Sequence, residues 1–288
     1  MHPEAAATRI PLSPWRRPTM WIAGAVLLLA LVTAGLGHWD LIASAHADLA
    51  GPSFAAPDRV HPLGTDAVGR DVWLRTLRAA EPSVCTGGLA AMLALAVGTW
   101  AGAWAGFAGG TVERITLALA QIVAAVPPLI VIIGLVALLG PGLVSGACGI
   151  AAVQWVAVYR VIRAESQRLA AEGFVVASEA MGASVWWRIR HHGAPHLRPL
   201  LGTMLAIQLA YAIKAEAVLG FLGLATVDMP SWGRMIASGS THLPRGLWWL
   251  TVAAAAPLTA VVLAAQFLGD ALQSSRDGER TAPPRHPR

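Results

Sequence analysis

Residues 84–107 read Val84-Cys-Thr-Gly-Gly-Leu-Ala-Ala-Met-Leu-Ala-Leu-Ala-Val-Gly98-Thr-Trp-Ala-Gly102-Ala-Trp-Ala-Gly106-Phe107, twenty-four residues without a charge. A helix on the surface of a water-soluble domain keeps a polar face, and this stretch has none to keep. About 20 apolar residues in helical form cross a hydrocarbon core ~30 Å thick, so the segment reads as a transmembrane helix. Working outward, residues 20–38, 115–139, 143–162, 199–224 and 247–268 are likewise long and predominantly apolar. Six transmembrane helices in 288 residues predict an all-α, polytopic membrane protein. The composition agrees: 56% hydrophobic residues, 13% charged residues and a mean hydropathy of +0.58 exclude both a soluble domain and an intrinsically disordered chain.

These spans divide the chain into an N-terminal tail (1–19), the first span (20–38), a loop (39–83), a core of five spans (84–272) enclosing a polar segment (163–198), and a C-terminal tail (273–288). The first span also imitates a secretory signal peptide, with Arg16-Arg17 before it and Ala45-His46-Ala47 after it. Its apolar run is longer than the usual ~7–15 residues, and the small-residue pattern lies far beyond the run. Fourteen of the 21 Lys and Arg residues fall on the side of the N-terminus, six on the other side, and Lys214 within a span. Excess positive charge marks the cytoplasmic side, so both termini are expected in the cytoplasm. The formal charge of +5 is a signal of orientation in a membrane, not of nucleic-acid binding.

Within the spans, Pro127-Pro128 and Pro257 predict kinks, which membrane helices tolerate where neighbours satisfy the freed carbonyls. Gly98, Gly102 and Gly106 would let another backbone come close. Cys85 and Cys148 lie in apolar stretches and read as small core residues rather than a redox pair.

Three segments outside the spans carry information. In the outer loop, His61-Pro-Leu-Gly64-Thr65-Asp66-Ala-Val-Gly69-Arg70-Asp71-Val-Trp73, Gly64 and Gly69 suit turns and Thr65 or Asp66 is placed to cap a short helix. In the inner segment, Phe174, Ala177 and Met181 at i, i+3 and i+7 form an apolar stripe, ended by a turn at Gly182 and followed by a second short helix over 185–191. The stripe suits packing against the chain's own spans or docking into another protein's groove. After the fifth span, Glu216 stands near the outer interface, where it is expected to accept hydrogen bonds from the following loop. Lys214, two residues earlier, cannot face Glu216 on a helix, so it is expected to snorkel or face a wet cavity.

Taken together, these segments resemble the inner-membrane permease subunits of dipeptide, oligopeptide and nickel ABC importers, the subunit type with a GTDxxGRD signature. Leu63 to Arg75 is similar to LGTDxxGRDxxSR, with Leu74 in place of Ser. Glu216 to Gly233 is similar to EAxLSFLGLGxxxPxPSWG, with Gly220 in place of Ser and one residue fewer. Phe267-Leu-Gly-Asp270-Ala-Leu272 resembles the family's LLGDxLRD tail. The family's EAA signature, EAA-x3-G-x9-I-x-LP, keeps Gly182 and Pro195 here, while Val176 replaces its glutamate, Ser178 its second alanine, and His192 and Ala194 its Ile and Leu. Glu81-Pro82 stands where the family tends to have Gly-x-Arg.

The resemblance implies a type I ABC-importer permease fold in a bacterial cytoplasmic (inner) membrane. It implies ATPase-docking coupling helices at Phe174, Val176, Ala177, Ser178, Glu179, Ala180, Met181, Gly182, Ala183, Ser184 and Pro195, with Glu179 or Arg188 adding charge contacts. It implies an outer gate at Glu216, Phe221, Gly223, Pro230, Ser231, Trp232 and Gly233, and an extracytoplasmic signature at Gly64, Thr65, Asp66, Gly69, Arg70 and Asp71. The partners implied are a homologous second permease, one or two ABC ATPase subunits, an extracytoplasmic binding protein and membrane lipid.

No Walker-type GxxxxGK[ST] occurs in the chain, so no cofactor is expected on it, and ATP-Mg belongs to the ATPase partner. No metal site or catalytic residue is expected: HExxH, CxxC and GxSxG are absent, and His191 and His192, being adjacent, point to different helix faces. The competing class is an ion-coupled secondary transporter or an intramembrane enzyme acting without an ATPase. Such a transporter should show inverted repeats, and residues 20–139 do not correspond to 143–268.

Overall fold

A computed structural model describes residues 16–38, 51–225 and 229–280. Thr226 to Asp228, the Ala45–Ala47 pattern and most of the N-terminal tail lie outside the described residues. The elements are α1 (Arg16–His38), α2 (Val72–Arg78), α3 (Ala80–Ala108), α4 (Gly110–Ala125), α5 (Pro128–Leu139) and α6 (Leu143–Ala170). They continue as α7 (Gly173–Ala180), α8 (Val185–Arg188) with a π turn at Ile189–Gly193, α9 (Ala194–Phe221), α10 (Trp232–Ser240) and α11 (Trp249–Arg280). Among the described residues there is no strand, only an isolated bridge between Thr65 and Asp71.

The glycines at 98, 102 and 106 set the architecture. Gly98 lies against Trp155 and Val158, Gly102 against Tyr159 and Ile162, and Gly106 against Arg163 and Ser166; at the other end Gly146 lies against Thr86. A Cβ on Gly98 would come within 2.6 Å of the Val158 side chain, so the close approach depends on glycine here, as small residues at membrane helix contacts allow. The pairs 86/146, 98/158 and 106/166 keep one offset, so α3 and α6 run parallel. They form the most extensive helix pair in the molecule.

Parallel neighbours require the chain between them to return, and α4 with α5 makes that return. α4 joins α6 near one end, through Glu113 to Arg163 and Thr116 to Tyr159, whereas Ile132 and Val136 of α5 pack beside Ala147 and Ile150 near the other. The two halves meet at 91°, so the expected kink is a full break. Val126 (φ −95°, ψ 136°) and Pro127 (φ −54°, ψ 127°) are both extended, as residues preceding proline prefer. Pro257, by contrast, lies inside α11, where the helix continues.

α9 runs antiparallel to α3, with Gly87 on Ile213 and Gly193 on Phe107, and α11 runs antiparallel to α9, with Gly269 on Ile207. Among the described residues four helices are long and apolar enough to cross a membrane, or five if the broken pair α4–α5 is one span. Met20–Leu36 of α1, a shorter apolar stretch, is compatible with a sixth at the short end of the ~17–25 residue range. The outer surface confirms the solvent: Trp100, Ile130, Leu138 and Val144 are all more than 60% exposed, acceptable against lipid or another subunit and not against water. Cys85 also faces outward on α3 rather than into the core, and Cys148 is half-buried; both are free thiols.

The bundle has two different ends. Residues 51–78 and 229–246 gather at one, the signature end, where Val72, Trp232, Met235, Trp249 and Leu250 share a core. Residues 171–193 form a helix-turn-helix at the other, the hairpin end, anchored by Val175, Ile189, Leu169 and Phe107.

Candidate functional site

At the signature end the loop closes around one carboxylate. Asp66 Oδ1 accepts the backbone N–H groups of Val68 (2.8 Å) and Arg70 (3.0 Å), and Oδ2 accepts Arg70 Nε (2.9 Å) and Arg75 Nη1 (2.5 Å). Burial opposes ionisation of Asp66, but those backbone donors and the two guanidinium groups outweigh it and hold its pKa below the ordinary carboxylate value. Thr65, fully buried, donates its hydroxyl to Pro52 O (2.6 Å) and accepts Ala55 N–H (2.8 Å), which ties the signature to residues ten or more positions earlier. Gly64 and Gly69 both have positive φ, as the turn reading requires. The helix cap differs from expectation: Asp71, not Thr65 or Asp66, accepts Trp73 N–H (2.7 Å) at the start of α2. Its second oxygen meets His61 Nδ1 at 2.9 Å.

Beneath this loop lie Glu216 and the residues grouped with it in the sequence. Glu216 of α9 is 2% exposed, with the hydroxyls of Ser83 and Ser231 beside its carboxylate. Among the described residues its Oε2 has no partner. Ser231 also caps α10 at Arg234 N–H, and Ser83 accepts Trp232 N–H (3.3 Å). The Trp232 indole donates to Thr76 O (3.1 Å). Gly233 lies against the Ala217 backbone so closely that no Cβ fits. Glu216 therefore binds α3, α9 and the start of α10 into one unit. Pro230 is half-buried, while Phe221 and Gly223 are exposed. Lys214 is exposed on another face of α9, its Nζ 5.6 Å from the Tyr211 ring centroid.

Glu81 acquires a structural account. It pairs with Arg78 at 2.6 Å, and both side chains are 7% exposed. Sequence reasoning missed this pair, although i, i+3 opposite charges were a legible signal.

The hairpin end is built differently. Val175 and Ser178 face inward, and Ser178 donates to Val175 O (2.7 Å). Phe174, Val176, Ala177, Glu179, Ala180, Met181, Gly182, Ser184 and Pro195 are exposed, and Ala183 is half-buried. Met181, at 83%, is among the most exposed large apolar residues described, and Trp186 is exposed at 52%. Ala177 and Met181 of the stripe face outward, whereas the Phe174 ring, itself half-exposed, stacks on His196 at the start of α9 at 5.9 Å. Glu179 and Arg188 pair with each other at 2.7 Å, with the Arg188 side chain buried, so Arg188 is not available as an outward charge. The second short helix ends at Arg188, and the π turn carries on from there. Trp187 stacks on His191, and Phe174 packs edge-on to His192. Glu113 of α4, not singled out from sequence, accepts Arg163 Nε (2.9 Å) and Gln167 Nε2 (2.7 Å) of α6.

Residues 98–277 match the family described as binding-protein-dependent transport system inner membrane component. The chain belongs to this family. It is thus a permease subunit of an ABC importer, with the all-α membrane fold that family has. The permease is 32% identical over 222 residues to the dipeptide transport system permease protein of Bacillus subtilis (strain 168), covering 77% of the chain and 69% of that protein. It is 34% identical over 261 residues to a putative peptide permease protein of Brucella suis biovar 1, covering 89% and 86%. A second dipeptide transport system permease protein, from Alkalihalophilus pseudofirmus, is 30% identical over 286 residues, covering 96% and 92%.

Proposed function

We propose that the permease forms half of the path by which short peptides enter a bacterial cell, in the cytoplasmic membrane, with both termini and the hairpin end in the cytoplasm. A homologous second permease completes the path. Two ABC ATPase domains bind and hydrolyse ATP-Mg, and an extracytoplasmic binding protein delivers the peptide to the signature end. This chain has no catalytic role of its own. The observation that carries the reading is the hairpin end: Val176, Met181 and Trp186 stand bare at the tip of a helix-turn-helix whose inner face is anchored in the bundle core. An apolar helical face of this kind fits a groove on a partner.

The mechanism follows from the two ends. Closure of the ATPases on ATP moves the hairpin, and the Glu179–Arg188 bridge and the Val175 anchor pass that motion to α6 and α9. At the other end the Glu216 brace holds α10 on α9, so the outer mouth moves as a unit. Peptides are favoured as cargo because the relatives' names specify them.

The test is uptake of a radiolabelled dipeptide into proteoliposomes holding both permeases, the ATPases and the binding protein. ATP-dependent accumulation is expected; accumulation driven by an ion gradient without ATP would establish the competing class. Orientation is checked with single cysteines in a Cys85→Ala, Cys148→Ala background. Ala67→Cys should react with an impermeant thiol reagent from outside intact cells and Val176→Cys should not. Val176 is the better inner probe, because Ser178 is buried and would resist labelling from either side.

A further inference from the structure

Between the signature loop and α10 lies a cavity of about 160 Å³, lined by Asp66, Arg70, Arg75, Met235, Ser238 and His242 among others. One water needs ~10–15 Å³ on this measure, so the cavity has room for several. Its wall holds two guanidinium groups against one carboxylate. Each arginine has five N–H donors. Arg70 uses its side-chain Nε on Asp66 and Arg75 uses Nη1, both on the same oxygen, Oδ2. Among the described residues their other guanidinium donors have no protein partner, and none of these nitrogens is sealed from solvent. The result is a concave, cationic site with a surplus of planar, forked donors. This is the geometry that recognises a carboxylate bidentately.

We propose that this cavity receives an acidic side chain of the extracytoplasmic binding protein when that protein docks. The proposal rests on the importer reading above. The lining comes from the loop, α2, α10 and the first turn of α11, and no lining residue belongs to α3, α6 or α9. A ligand passing along those helices would not meet it, whereas a protein seated on the signature end would. Until docking, water covers the open donors; on docking, a partner carboxylate replaces it in a half-enclosed site where charge-assisted bonds are strong.

The experiment measures docking of fluorescently labelled binding protein to the complete transporter in nanodiscs. Arg70→Gln removes the fork, and Ser238→Phe fills the cavity without changing charge; thermal melting of the complex checks that each variant is folded. Docking at least tenfold weaker is expected in both. Arg59→Gln, an exposed loop arginine outside the lining, should stay within twofold of the parent. Unchanged docking in folded Arg70→Gln and Ser238→Phe complexes would overturn the proposal. Equal weakening in Arg59→Gln would also overturn it, because diffuse charge would then be the cause. If docking is unchanged but Arg70→Gln abolishes the preference for free over C-terminally amidated dipeptides in uptake, the carboxylate belongs to the cargo and the proposal falls. A parent complex that docks no binding protein would instead sink the importer reading itself, and the cavity's occupant with it.

Discussion

At the signature end one buried carboxylate, Asp66, accepts four hydrogen bonds, from Val68, Arg70 and Arg75. At the hairpin end two short helices hold together through Val175 with Val185 and the Glu179–Arg188 ion pair, and leave Val176, Met181 and Trp186 exposed. The first arrangement satisfies its buried carboxylate internally, while the outer donors of Arg70 and Arg75 stay open. The second exposes apolar area that a finished assembly would cover. The difference teaches where specificity and force should enter if the proposed function holds: polar geometry would select a partner at one end, and an apolar tip would take up motion at the other.

The largest effect that can break this comparison is expected from Asp66→Ala. It leaves Arg70 and Arg75 facing each other without their shared anion, and the Val68 and Arg70 N–H groups without an acceptor at about 1–3 kcal/mol each. The signature end should unfold locally, seen as new protease cleavage between residues 51 and 78, while the hairpin end still binds ATPase. Intact loops in Asp66→Ala would show that Thr65 and the turn glycines suffice. The depressed pKa adds a pH dependence. The unfolded loop takes up a proton near pH ~3.9 and the folded loop only at lower pH, so between those values the unfolded state binds more protons. Stability from Asp66 is therefore fully present above about pH 4 and is lost as pH falls through the folded pKa. Asp66→Asn should remove that slope.

Next in size is Met181→Asp at the bare tip. A charge closed into an apolar interface without a counter-charge costs several kcal/mol, while a residue this exposed contributes little to the fold. Insertion should be normal, and both ATPase co-purification and uptake should fail. Unchanged co-purification and uptake would mean that the ATPase docks elsewhere and that the tip faces lipid or another subunit.

How far the sequence revealed these ends follows from the range of the interactions. Six apolar runs were legible because hydropathy is local, and the 98/102/106 glycines announced a close contact without naming α6 as the partner. The stripe at 174, 177 and 181 followed from helical period, but only the fold could decide that Ala177 and Met181 face outward. Asp66 and Asp71 are both acids before a short helix, and spacing alone does not tell a helix cap from a bracket for two arginines. Glu113 meets Arg163 and Gln167 across some fifty positions, a contact that exists only because α4 returns the chain beside α6. The break at Pro127 was legible as a kink; its 91° angle depends on packing against α6, which local propensity does not encode.

A smaller effect is expected at the junction of loop and bundle. Glu216→Leu leaves the donors of Ser83 and Ser231 unmet at about 1–3 kcal/mol, enough to loosen α10 and to reduce uptake and binding-protein-stimulated ATP hydrolysis together. Glu216→Gln keeps an acceptor of the same shape and should retain most of both activities. A Gln variant as inactive in uptake as the Leu variant, with ATP hydrolysis preserved, would make the charge itself the functional element and turn the brace into a contact for a cationic group in transit.

The smallest effect sharpens the account of the hairpin end. Glu179 is 58% exposed and Arg188 only 6%, so the pair is a half-solvated strut between α7 and α8. Exposed pairs contribute about 0–1 kcal/mol, less than the 1.4 kcal/mol that changes an equilibrium tenfold. Glu179→Gln keeps an oxygen for Arg188 and removes only the charge. If the carboxylate serves only as this internal strut, ATPase affinity should fall less than fivefold, equally at low and high salt, because the docking face is apolar. If Glu179 instead reaches a basic residue of the ATPase, the loss should be large at low salt and shrink as salt screens the parent contact. The strut is favoured because the signature glutamate position is Val176, an exposed apolar residue, and Arg188 already occupies Glu179 Oε2 at 2.7 Å. Affinity of the purified ATPase for parent and Glu179→Gln complexes, measured at two ionic strengths, separates the two roles.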